Sequence, residues 1–198
     1  MLEHRDQYGR RVYIYRPGKW NPDKSNFNEV FCVGYALSEL VALETKTQIA
    51  GVTTIADAKD FGFHQLRSFT LDNARSAASF VQDSFPLWFR DIHVINAPRL
   101  FFIVSINSLK IYIFLIFIYI FKAFNIVRPF LNERIKKSIY FHDSNESLHE
   151  HVPKEILPTE LGGLSGSYDN SACAQATFNI EQHFAHVQNF VAANSLKK

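Results

Sequence analysis

Apolar and polar positions along this chain switch repeatedly between a period of two and a period near 3.6. Residues 11–16 (RVYIYR) alternate and stop at Pro17-Gly18, which predicts a short strand ended by a turn. Asn26 and Glu29 stand where a capping box needs them, so a helix is expected from there to about Ala42. Residues 49–56 (IAGVTTIA) are almost continuously apolar or β-branched, the pattern of a strand covered on both faces. Thr70 stands as the cap of a helix through Asp83, with Leu71, Ala74, Ala77 or Ala78, and Val81 on one face. Residues 92–96 (IHVIN) and 138–141 (SIYF) predict two more strands. Beyond Gly162-Gly163 the chain turns polar, and then Ile180, Phe184, Val187 and Val191 repeat at helical spacing. This order of strands and helices predicts an α/β sandwich of parallel strands with helices on its faces.

One segment breaks the pattern. Residues 104–122 (VSINSLKIYIFLIFIYIFK) lack Gly, Ala, Pro, Asp, Glu, Arg and His, and residues 111–121 are an unbroken run of large apolar side chains. A membrane span needs roughly 20 apolar residues, so this run is short unless it extends across Lys110 or Lys122.

Composition narrows the function. The chain has 198 residues, is 47% hydrophobic and carries a formal net charge of +2, which gives no case for nucleic acid as a partner. Cys32 and Cys173 form neither a disulfide framework nor a metal-ligand spacing and read as reduced thiols. The start of the chain is charged and has no apolar signal region, so a cytoplasmic protein is expected.

Catalytic chemistry is not assembled. Residues 163–166 (GLSG) are one residue short of a nucleophile elbow, and no phosphate-binding glycine loop follows a predicted strand. His183 and His186 could share a metal, but no third ligand stands at a defined spacing. His149 and His151 flank Glu150 in a turn-like stretch and read as surface polar residues. Asp57, at a strand end, could serve as a base but has no partner in sequence. No enzyme, no metal and no cofactor are expected.

Several stretches, taken in order, resemble the CRAL-TRIO lipid-binding domain family and its tocopherol-transfer-like members. They are GRRV at residues 9–12 leading to RPGKW at 16–20, Ser38-Glu39-Leu40, and residues 51–57. DSFPLWFRDIHVINAP (83–98), RPFLNERIKKSIYFH (128–142) and SLHEHVPKEILPTELGG (147–163) follow. The resemblance covers about residues 6–165 and leaves residues 166–198 as a tail with one helix. It implies a mostly parallel sheet as floor, flanking helices, and a gate helix closing over one apolar ligand. The family's small helical domain has no counterpart before GRRV, so a truncated chain or a fragment is expected.

Carried over by position, the resemblance implies a lipid-binding wall at Ser38, Phe69, Phe80, Val81, Phe85 and Leu87. The gate corresponds to Phe124 to Lys137, with Phe124, Ile126, Val127, Phe130 and Leu131 on its apolar side. Arg90, Arg134, Lys136 and Lys137 are the implied phosphoinositide-binding cations, although Trp88 and Ser138 stand where further cations are expected. The implied protein is a monomeric carrier of a tocopherol-, retinoid- or phospholipid-like ligand, reversibly associated with anionic membranes. A membrane-associated phosphoinositide-binding scaffold without cargo, or an impaired fragment, are the alternatives.

Deleting residues 104–122 joins PRLFFI to AFNIVRPFL and restores the family's run into the gate. Val104-Ser105 can be encoded by a splice-donor sequence and Phe121-Lys122 by one ending in an acceptor AG, so the segment reads as a retained intron. Thymine-rich DNA encodes Phe, Ile, Leu and Tyr, which accounts for the hydrophobicity without selection for a lipid-facing surface. An adaptive membrane-contacting insert and a true span are the other readings. A continuous helix would be lengthened by about 28 Å, so a protruding or kinked helical pair is expected.

Overall fold

The computed structural model describes residues 1–83, 87–97, 122–169, 171 and 175. Four strands, β1 (Arg11–Tyr15), β2 (Val52–Asp57), β3 (Phe89–Ile95) and β4 (Ile139–Phe141), form one sheet in the order β1-β2-β3-β4. Every neighbouring pair is parallel. Parallel neighbours require crossovers, and helices supply them. Helices α1 (Phe27–Ala42) and α2 (Thr45–Ala50) lie between β1 and β2, and α3 (Phe63–Arg67) and α4 (Leu71–Gln82) between β2 and β3. Before β4 come α5 (residues 122–127), a 3-10 turn at Arg128–Phe130, and α6 (Glu133–Lys137). Helix α7 (Asn145–His149) follows β4.

Local chemistry explains most of these boundaries. The Asn26 side chain accepts from the Glu29 N–H at 3.0 Å, and Glu29 accepts from the Asn26 N–H at 2.9 Å, so the expected capping box starts α1. Thr70 Oγ1 caps α4 by accepting from the Asn73 N–H at 3.2 Å. Two boundaries differ from expectation. The strand expected over 49–56 begins only at Val52, because residues 45–50 are helical and Gly51, at φ +88°, ends that helix. A Cβ on Gly51 would lie 2.5 Å from the Trp88 carbonyl oxygen, so only glycine allows the two chains to approach there. The strand expected from Ile92 begins at Phe89, and a register shift between Val52 and Thr53 admits Arg90 as an extra residue.

The implied gate, Phe124 to Lys137, is not one helix. Pro129 lacks an N–H and stands in the 3-10 turn where α5 ends. Asn132 then caps a new helix, its Oδ1 accepting from the Ile135 N–H at 2.9 Å.

The sheet is covered on both faces, and strand alternation assigns each residue to one of them. Val12, Ile55 and Ile95 pack with Leu148, Val152 and Leu157 on one face. Val52 and Phe89 pack with Val41, Ala78, Leu131 and Ile135 on the other. The bulge keeps Phe89 on the same side as Val52. The expected helical insert, Phe85 and the tail helix lie outside the described residues, except that Lys122 begins the described part of α5. No helix among the described residues is long and apolar enough to cross a membrane.

Candidate ligand cavity

The cavity lies on the helix-covered face of the sheet, alongside the core around Val52 and Phe89. Its floor alternates along the strands. Tyr15, Ala56, Ile92, Val94, Ile139 and Phe141 point to it, while Ile14, Ile55, His93 and Tyr140 fall in the opposite phase. Ala77 and Val81 of α4 and Phe69 form one wall. Ala123, Phe124 and Val127 of α5, with Leu131 and Ile135, form the other. Pro17, Trp20, Phe27 and Phe61 close one end. The volume is about 280 Å³, near the roughly 300 Å³ lower bound of small-molecule sites.

Small side chains leave this space open. Ala56, Ala58, Ala77 and Ala123 all line it, so positions that could carry bulk stop at a methyl group. Aromatic rings set the wall behind them. Phe27 meets Phe31 at 5.4 Å and Phe69 at 5.3 Å between ring centroids, and Phe31 meets Phe80 at 5.2 Å. Such contacts hold rings in fixed orientation at little further cost once they are buried.

Phe69, Val81, Phe124, Val127 and Leu131, expected on the wall and gate, converge on the cavity. Ser38, Phe80, Leu87, Ile126 and Phe130 do not line it. Ser38 is buried on α1, and Leu87 is buried in the adjoining core. Phe80 is packed against Tyr35 at 4.8 Å and Phe89 at 5.5 Å. Ile126 is half-buried on α5, and the Phe130 ring carries the Arg75 guanidinium 5.3 Å above it. Sequence reasoning missed the whole floor, including Tyr15, Ile92, Val94 and Phe141. The available signal was the two-residue phase of the strands, which separates Tyr13 and Tyr15 from Val12 and Ile14.

The expected cations stand on β3 and on α6, the helix that leads into β4. The Ile92 N–H donates to the Ser138 carbonyl at 2.8 Å, which brings the end of α6 beside the start of β3. Arg90 and Lys137 each stand two residues before the paired Ile92 and Ile139. The Arg90 guanidinium lies 4.0 Å over the Trp88 ring, and Trp88 is exposed. Arg134 and Lys137 are exposed, and Lys136 Nζ donates to Glu133 at 2.8 Å. That contact holds the Glu133 carboxyl below its usual range.

The remaining candidate groups have structural partners. Asp57 Oδ1 accepts from Asn96 Nδ2 at 2.8 Å and from the Lys59 N–H at 3.2 Å, and its Oδ2 lies 3.6 Å from Arg16 Nε. His149 Nε2 lies 2.9 Å from the Leu161 carbonyl oxygen. On the opposite sheet face, His93 Nδ1 and His142 Nε2 are 2.8 Å apart, and His142 Nδ1 is 2.9 Å from Ser147 Oγ. The His151 ring lies 5.3 Å from both imidazoles. Burial, with the neighbouring His142 charge, pushes His93 down to about 4. Burial also lowers His142. No group of three or more metal-ligating side chains is assembled among the described residues. Cys32 is exposed, and His183, His186 and Cys173 lie outside the described residues.

Fold and cavity together define a parallel-sheet α/β domain built around an apolar pocket. The chain belongs to the CRAL/TRIO domain family, whose pattern matches residues 1–113 and 110–163. It is 28% identical over 191 residues to Clavesin-1 of Xenopus laevis, covering 94% of this chain and 52% of that protein. It is 30% identical over 186 residues to the Alpha-tocopherol transfer protein-like protein of Homo sapiens, covering 93% and 48%. Clavesin-2 of Mus musculus is 31% identical over 183 residues, covering 91% and 50%. The chain therefore spans about half the length of these relatives.

Proposed function

We propose that this chain holds one small apolar molecule between the sheet floor and residues 123–135 and exchanges it at membranes. The observation that carries this reading is the cavity, lined by side chains that are apolar apart from one phenol and one indole. Filling such a space with an apolar body removes hydrocarbon surface from water at about 25 cal/mol per Å². The described lining residues bring no nucleophile and base together, so the proposed activity is binding rather than catalysis. The name of one relative refers to alpha-tocopherol transfer, which agrees with a hydrophobic cargo here. Ser38, Phe80, Leu87, Ile126 and Phe130 act in this reading from behind the lining, by fixing where the wall stands.

Arg90, Arg134, Lys136 and Lys137 are the proposed contact with an anionic, phosphoinositide-bearing membrane. Each cation near such a surface contributes about 1 kcal/mol. Solvent extraction of the purified chain, followed by mass spectrometry, tests the carrier reading. A stoichiometric apolar molecule is expected, and a ligand-free chain that also takes up none from vesicles overturns it. Recovery of the chain on phosphoinositide vesicles without any extractable ligand would favour a membrane-bound scaffold instead.

A further inference from the structure

The cavity is apolar to a degree that makes its few polar atoms informative. Among its described lining residues only Tyr15 and Trp20 carry a side-chain hydrogen-bonding atom. Trp20 is already satisfied, because its Nε1 donates to the Ser25 carbonyl at 2.9 Å. The Tyr15 phenol makes no hydrogen bond to a side chain or backbone group among the described residues. Its strand neighbour Tyr13, two positions back, donates to the Leu37 carbonyl at 3.4 Å and leaves no such vacancy.

Tyr15 is also open to the cavity rather than simply unsatisfied in the core. Its side chain is 43% exposed, yet burial raises its phenol above the ordinary value. Tyr15 lines the cavity, so free space reaches its ring and hydroxyl from that side. The neutral phenol therefore presents an O–H donor to whatever fills that space. Its backbone position is set by the pairing of Tyr15 with Ala56, whose methyl group leaves room above the floor.

We propose that Tyr15 is the specificity-determining residue of the cavity, selecting an apolar molecule that bears a hydrogen-bond acceptor oxygen and orienting that oxygen toward β1. The inference deepens the carrier reading and rests on it. A hydrocarbon lacking that oxygen would displace water from the phenol without replacing its hydrogen bond, and a site built around a polar group discriminates on that basis. One donor in an apolar pocket fixes the orientation of a ligand as well as its class.

The test compares 2-acetylnaphthalene with 2-ethylnaphthalene, nearly isosteric probes that differ in the carbonyl oxygen, by calorimetric titration of the whole chain and of Tyr15→Phe. The substitution keeps the ring and removes the hydroxyl. The unaltered chain should prefer 2-acetylnaphthalene, and Tyr15→Phe should weaken that probe by about three- to tenfold, the value of one hydrogen bond. Unchanged affinity for 2-ethylnaphthalene shows that the cavity of the variant is intact. Equal effects on both probes, or none on either, overturn the role of Tyr15 while leaving the cavity reading in place. Failure of both probes to bind the unaltered chain overturns the cavity reading and this inference with it.

Discussion

At the residue scale the partnered titratable groups divide by acid sensitivity. Free imidazole takes up a proton near 6.5, whereas folded His93 does so only near 4. Between those values the unfolded chain binds more protons, so stability falls as pH drops through that window. For His93 alone the loss is roughly 3 kcal/mol, and His142 acts in the same direction. Asp91 opposes the shift, while Arg10 and His151 reinforce it. Glu44 responds at lower pH. Its carboxylate accepts from Arg11 Nη2 at 2.5 Å and from Arg5 Nη2 at 2.6 Å, and the Arg11 contact leads in holding it down to about 2. The stability it contributes is present above about 4.5 and fades toward 2. Urea midpoints should therefore drop between pH 6.5 and 4.5 in the unaltered chain and change less in His93→Gln. An equal drop in both would remove the histidine pair as the cause.

At the scale of elements, short connections position the layers on both faces of the sheet. Gly163 sits against Leu157, and a Cβ there would lie 2.0 Å from the Leu157 carbonyl oxygen. Gly163→Ala must displace the segment that carries Leu157 and Leu161 into the core of the opposite sheet face. A loss of about 1–3 kcal/mol is expected from such overpacking, read as a lower thermal midpoint. Asn132 is the second such point, because it restarts a helix after Pro129 and so places Leu131 and Ile135 on the cavity wall. Asn132→Ala should cost about 1 kcal/mol. Its measurable sign is a lower midpoint in chemical denaturation together with weaker uptake of an apolar dye.

Local rules made part of this legible. The capping pair Asn26 and Glu29 and the cap Thr70 were readable because their partners lie three residues away. The start of β3 was not, because it depends on pairing with β2 that absorbs Arg90 in a bulge, and no local pattern marks that. Residues 49 and 50 read as the start of a strand by composition, yet Ile49 stands 76% exposed on a helix. Gly51 and the Arg5–Glu44–Arg11 contacts decide that turn, and they join residues distant in sequence.

For the whole molecule the cavity is the feature to perturb. Ala77→Leu adds bulk to a residue that lines the open space. It should abolish uptake of an apolar dye while leaving the thermal midpoint close to that of the unaltered chain, since the added atoms fill space instead of displacing neighbours. Unimpaired uptake would show that ligand enters elsewhere. Residues 104–122 give a second test. The family match comes in two overlapping pieces, residues 1–113 and 110–163, that meet inside that segment. Removing residues 104–122 should improve retention of the extracted ligand, and equal retention by both forms would sink that expectation.

By itself the sequence determined the alternation of strands and helices, the caps at Asn26 and Thr70, and the family, because each depends on residues near one another or on an ordered set of motifs. Only the tertiary structure decided which apolar residues form a cavity and which are ordinary core. Phe69 and Phe80 look equivalent in sequence, yet one lines the space and the other is packed against Tyr35 and Phe89. Tyr13 and Tyr15 look equivalent as well, yet one phenol is spent on Leu37 and the other opens into the cavity. The physical reason is that hydrophobicity specifies burial, while free space depends on where neighbouring side chains from four strands and several helices stop short of one another.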